Sequence, residues 1–142
     1  MFNKPNRSVD RVFIHCSASD NPDHDDVSVI RQWHLDRGWS DIGYHFFIRK
    51  DGTVQYGRNI ERTPAAQKGH NTGSIAICCH GLDEFKFTRD QFRSLFNLCD
   101  EIDSDYNQNI TFHAHNEVNP NKTCPVFDVK QVLNLDDAGR MQ

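Results

Sequence analysis

The chain has 142 residues, 37% hydrophobic and 25% charged, with a net charge of −4 at pH 7. That length suits one domain with a core of its own, and ten Phe supply apolar bulk that a disordered chain lacks. The basic residues are scattered among acids, which excludes a broad phosphate-binding face and any nucleic-acid partner that needs one.

Residues 1–10 are polar, contain Pro5 and read as a short N-terminal arm. Arg11 to Cys16 (RVFIHC) is a brief apolar run rich in β-formers, which predicts a buried strand. Ser17 to Asp26 is a loop of Ser, Asp and Pro. Asp25 or Asp26 caps a helix that runs to about Arg37 and stops at Gly38, with Val27, Ile30 and Trp33 at helical spacing. His45 to Ile48 is a second strand, Lys50 to Thr53 an Asp-Gly turn, and Val54 to Tyr56 the return strand of a hairpin.

Residues 58–72 are polar and show no period, as expected of a functional loop. Ser74 to Cys79 (SIAICC) reads as another buried strand. Thr88 and Gln91 form a capping box that opens a second helix, and Phe92, Leu95, Phe96, Cys99 and Ile102 form its apolar stripe. A strand from Ile110 to His115 leads into the loop Asn116 to Pro125, Asp128 caps a short last helix, and a loose tail covers 136–142. Strands alternating with helices, plus one hairpin, predict a single α/β domain over residues 11–135 with a mixed β-sheet flanked by helices.

The five Cys are odd in number and two are adjacent, a poor disulfide framework. The sequence shows neither a signal peptide nor an apolar run of about 20 residues, so synthesis in a reducing cytosol and no membrane insertion are expected. There a lone Cys can serve as a metal ligand.

Eight His are many for this length. His15 lies at the carboxyl end of the first strand, where ligands gather in open α/β sheets. His113 and His115 end the last strand, two apart and so on one face if the chain is extended. Cys124 follows in a tight loop between Lys122 and Pro125. Catalytic zinc takes three N or S ligands and keeps one open position. His15, Cys124 and either His113 or His115 meet that count, and spacing does not choose between the two.

Four stretches carry a resemblance. They are Phe13-Ile14-His15-Cys16-Ser17-Ala18; Ile30-Arg31-Gln32-Trp33-His34 with Gly38-Trp39-Ser40-Asp41-Ile42-Gly43-Tyr44-His45-Phe46; Lys50-Asp51-Gly52-Thr53-Val54; and His115-Asn116-Glu117-Val118-Asn119-Pro120 leading to Lys122-Thr123-Cys124-Pro125. In this order, spanning residues 11–128, the sequence resembles the type 2 N-acetylmuramoyl-L-alanine amidases, in particular the T7-like phage endolysin branch.

The resemblance implies one Zn2+ held by His15, His115 and Cys124, which selects His115 over His113. It matches Tyr44 to a tyrosine near the metal and Lys122 to the lysine two residues before the third ligand. It implies hydrolysis of the amide between the MurNAc lactyl group and L-alanine of peptidoglycan. With neither a signal peptide nor a separate wall-binding domain, the expected context is a phage endolysin, a monomer that waits in the host cytoplasm and reaches the periplasmic wall at lysis; a bacterial muropeptide-recycling amidase is the alternative. Trp39 and His70 are candidate substrate contacts at the cleft edge. Asn121 is an extra residue in the loop before Lys122, expected as a bulge, and Thr63 to Gln67 lacks the His-Ala of the phage branch.

Related peptidoglycan-recognition proteins bind muropeptides without cutting them, and non-catalytic members tend to lose the third ligand. Cys124 with Lys122 points here to the enzyme. Restraint of a phage RNA polymerase is a further trait of the phage branch, carried over by analogy alone. The remaining residues have plainer roles: His34 and His45 structural hydrogen bonds, His24 and His80 exposed positions, Cys16, Cys78, Cys79 and Cys99 small apolar packing, and Glu117 support for its loop.

Overall fold

The computed structural model describes residues 2–142. In chain order the elements are β1 (Arg11–Cys16), α1 (Val27–Asp36), β2 (Phe46–Ile48), β3 (Val54–Tyr56), β4 (Ser74–Cys79), α2 (Arg89–Asp105), β5 (Thr111–Ala114) and α3 (Val129–Leu133), with 3-10 turns at Pro22–His24 and His115–Glu117. They form one five-stranded sheet in the order β3-β2-β4-β1-β5. The β2–β3 hairpin is antiparallel and the other pairings are parallel, so the sheet is mixed and flanked by helices, as the sequence predicts.

β1 and β4 are central and covered on both faces, which explains their unbroken apolar runs. Strand alternation divides the core. Val12, Ile14 and Cys16 pack with Ile75, Ile77 and Cys79 against Leu95, Leu98, Cys99 and Ile102 of α2 and Val129 and Leu133 of α3. On the opposite face Cys78 and Phe47 pack with Ile30 of α1 and with Ile42. His15 pairs in register with Cys78, so its side chain leaves β1 on the α1 face.

Local chemistry sets the helix ends. The Asp26 carboxylate accepts from Ser28 N at 2.9 Å to open α1, and Gly38 follows its end at φ +90°, a conformation Gly adopts readily. The capping box of α2 closes in both directions, with Gln91 N donating to Thr88 Oγ1 at 3.0 Å and Thr88 N to Gln91 Oε1 at 2.9 Å.

Several expectations are corrected. The buried stripe of α2 includes Leu98, while Phe96 is 37% exposed, because the sheet meets the helix on the face of Leu95, Leu98, Cys99 and Ile102, and spacing alone fits either stripe. The polar arm is anchored: Phe2 is buried against Phe46 and Tyr106, and its N–H donates to Glu101. The tail folds back as well, with Leu135 bridged to Met141 and Phe112 N donating to Gly139 O at 2.8 Å. His80 is buried, not exposed, between the Ser17 hydroxyl and the Asn21 carbonyl, each at 2.9 Å.

Candidate metal centre and active-site cleft

The carboxyl ends of β1 and β5 carry the site. The His15 ring is buried at the top of β1, and burial pushes its pKa down to about 3, so the imidazole is neutral. β5 ends at Ala114, and the chain turns into the 3-10 segment His115–Glu117. That turn separates the two candidate histidines, because the extended backbone that would align them stops between them. His115 swings over His15, ring centroids 4.5 Å apart. His113 stays on the strand, bonded to Thr111 Oγ1 at 2.7 Å and Glu117 Oε1 at 3.0 Å, where it lines a different hollow beside residues of the C-terminal tail.

Cys124 closes the constellation. Its loop is tied to the His115 turn by Asn116 N donating to Cys124 O at 3.1 Å, and a cis bond joins it to Pro125. The extra residue Asn121 sits in a local turn, where Lys122 N donates to Asn119 O at 3.0 Å and Asn121 N to Asn119 Oδ1 at 3.2 Å. The Cys16 backbone N–H donates to Cys124 Sγ at 2.9 Å, and that sulfur also lies 3.8 Å from the Cys16 carbonyl oxygen. One ligand-capable atom each from His15, His115 and Cys124 lie within 4.8 Å of one another.

His115 and Cys124 line a cleft of about 300 Å³ whose walls also include Ser17, Arg37, Tyr44, Leu82 and Lys122, while His15 is buried and is not among those walls. The Tyr44 ring lies 5.1 Å from that of His15, and burial raises its phenol pKa well above the ordinary value, so the hydroxyl keeps its proton. Position 43 explains how Tyr44 is held there. A Cβ on Gly43 would meet Ala65 O at 2.1 Å, so only glycine lets these two segments touch. Gly43 N donates to His34 Nδ1 at 2.9 Å, which makes His34 a structural support under the Tyr44 segment. Lys122 is exposed on the rim.

Trp39 and His70 lie elsewhere. Trp39 is 40% exposed, packs on His34 and lines a separate hollow with Ala65, Ala66, Lys68 and Asn71. The His70 ring rests against Phe13, 6.4 Å between centroids. Neither is among the walls of the cleft at Cys124. Glu117 braces its loop by accepting from Ala114 N and His113. Sequence reasoning missed Gln67, fully buried with Oε1 2.8 Å from His15 Nε2. A glutamine inside an aperiodic polar segment gives no local signal of such a contact. Arg37 and Leu82 on the cleft walls were missed too, being reachable only through the fold.

A family model described as N-acetylmuramoyl-L-alanine amidase matches residues 5–127. The chain belongs to this family. It is 40% identical over 134 residues to the endolysin of Escherichia phage T7, covering 90% of this chain and 87% of that protein. Among solved structures it superposes on the N-acetylmuramoyl-L-alanine amidase LysC from Clostridium intestinale at a TM-score of 0.81 and 30% identity, covering 92% and 89% of the two chains. It is also similar, at a TM-score of 0.74 and 26% identity over 88% and 80% of the chains, to the peptidoglycan recognition protein LCa/LCx ectodomain complex with tracheal cytotoxin. The amidase described here therefore acts on peptidoglycan or its muropeptides.

Proposed function

We propose that this amidase holds one zinc ion on His15, His115 and Cys124, cuts the amide between the MurNAc lactyl group and L-alanine, and serves a phage as its endolysin. The observation that carries the metal reading is the convergence of these three side chains within 4.8 Å, drawn from parts of the chain up to 109 residues apart. The donor set fits zinc. Two imidazoles and one thiolate with a position left open is a catalytic pattern, and soft sulfur with nitrogen disfavours magnesium or calcium. His15 is already neutral, as a ligand must be. Cys124 is not poised by itself: contact with the Cys16 thiol and burial push its pKa up, and a cation at the site reverses that preference.

When bound, zinc supplies an acidified water near neutral pH and Lewis-acid polarisation of the scissile carbonyl. The protein's own groups do the rest. A single thiolate leaves the centre a net positive charge, which favours negative charge growing on the carbonyl oxygen. Tyr44 is on the cleft wall and keeps its phenol proton, so its hydroxyl would donate a hydrogen bond to that oxygen or orient the attacking water. The Lys122 ammonium adds a positive charge from the rim. Trp39, half-exposed beside its own hollow of about 290 Å³, offers a flat apolar face to a sugar or stem peptide, with His70 on the neighbouring segment.

The endolysin role draws on the phage relatives and implies a monomer that waits in the host cytoplasm until the membrane is permeabilised. Among the described residues no helix is long and apolar enough to cross a membrane.

The test is zymography on purified peptidoglycan with and without a strong chelator, with product analysis. Clearing should vanish on metal removal, return with zinc, and yield new L-alanine amino termini without reducing sugars. Clearing that survives complete metal removal contradicts the mechanism.

A further inference from the structure

Gln67 sits between His15 and β4, and the direction of every hydrogen bond around it can be worked out. Ser74 Oγ lies 2.7 Å from the Asn71 carbonyl. A carbonyl only accepts, so the Ser74 hydroxyl spends its proton there. Ser74 Oγ must then accept from Gln67, 2.7 Å away, which places the amide NH2 of Gln67 on that side. The same nitrogen also faces the His70 carbonyl at 3.4 Å, a second acceptor. The amide is thereby oriented with Oε1 toward His15 Nε2, at 2.8 Å. An oxygen without protons opposite a ring nitrogen requires that nitrogen to donate.

We infer that Gln67 is a positioning residue that fixes His15 as its Nε2–H tautomer and presents a bare Nδ1 to the metal centre. This rests on the zinc reading given above. The site has no room for the alternative: Gln67, Ser74 and His15 are each buried to 1% exposure or less, so water does not substitute for a lost partner. With Nδ1 protonated, His15 would offer no lone pair toward His115 and Cys124, and Nε2 would face the Oε1 lone pairs. Histidine metal ligands commonly have the other ring N–H held by a carboxylate, carbonyl or water, and loss of that partner typically costs about 10–100-fold in metal affinity. Here a side-chain amide takes the role, anchored through Ser74 to the backbone at Asn71.

The experiment is 15N NMR of the histidine rings in the full-length chain, before and after zinc is added, together with zinc affinity measured by chelator competition. The wild-type chain should show His15 as the Nε2–H tautomer in both states. Gln67→Leu should mix the tautomers in the zinc-free chain and weaken zinc binding by about 10–100-fold. Gln67→Glu keeps an acceptor oxygen against Nε2 and should hold the Nε2–H tautomer, though it loses the NH2 that donates to Ser74 Oγ. A wild-type His15 protonated at Nδ1 overturns the inference without any variant. So does Gln67→Leu with an unchanged tautomer and unchanged affinity. A wild-type chain that shows the Nε2–H tautomer, loses it in Gln67→Leu and yet never binds zinc upholds the role of Gln67 and refutes the zinc reading instead.

Discussion

Tyr44→Phe and Lys122→Ala should both leave zinc in place and slow the chemical step, but not equally. The structure sets the difference. Tyr44 stands 5.1 Å from His15 by ring centroid, on the cleft wall, with burial holding its proton on the phenol. A donor aimed at developing charge in such a shielded place is worth about 3–4 kcal/mol, or roughly 10²–10³ in kcat. Lys122 lies on the rim and is exposed, so solvent screens its charge. Its removal should cost nearer ten- to thirtyfold, about 1.4–2 kcal/mol. Neither side chain is a ligand in the proposed site, so zinc content per chain should stay at the wild-type value in both variants. The assay is steady-state cleavage of a soluble muropeptide, with metal content measured on the same samples. Loss confined to KM would assign the pair to ground-state binding. Loss of zinc in step with activity would refute their role as non-ligands, and a larger loss for Lys122→Ala would refute the screening argument.

Further outcomes follow from the same geometry. His115→Ala should abolish zinc binding, whereas His113→Ala, which loses only partners at Thr111 and Glu117, should keep it; metal content of the two purified variants decides. Gly43→Ala should destabilise the chain by about 1–3 kcal/mol or more in denaturant unfolding, since its new methyl would meet Ala65 O at 2.1 Å; unchanged stability would show that the two segments do not touch. His34 and His45 each accept a backbone N–H at Nδ1, and burial lowers both pKa values from 6.5 to about 4. Between those pH values the unfolded chain binds protons that the folded chain does not. Stability of the zinc-free protein should therefore fall as pH drops from about 6.5 to 4, with His34 and His45 each contributing at most about 1.4 kcal/mol per pH unit, and His15, lowered to about 3, adding to the same fall. His34→Gln should reduce that slope, and an unchanged slope would show that His34 titrates normally.

The strands and helices were legible because their signals are local. β1 and β4 read as buried strands from their composition, and α2 announced its start through Thr88 and Gln91. What failed was anything that depends on the partner of a segment. Phe2 looked like part of a polar arm because its pocket is formed by Phe46 and Tyr106, far along the chain. Phe96 fitted a helical stripe as well as Leu98 did, and only the position of the sheet separates them. Residue spacing left His113 and His115 equal, since it cannot show that the strand stops at Ala114. The motif resemblance resolved that choice, and the geometry places the same three residues together. Gln67 escaped both routes: its role comes from a contact 52 residues distant, made through an amide that no motif marked.

The central claim is a zinc ion held by two histidines and one cysteine. X-ray absorption at the zinc edge on the reconstituted full chain tests it most directly. The account predicts one sulfur scatterer at about 2.3 Å with nitrogen or oxygen neighbours at about 2.0–2.1 Å, and loss of the sulfur component in Cys124→Ser. A wild-type spectrum without sulfur, or one with sulfur that persists in Cys124→Ser, contradicts it.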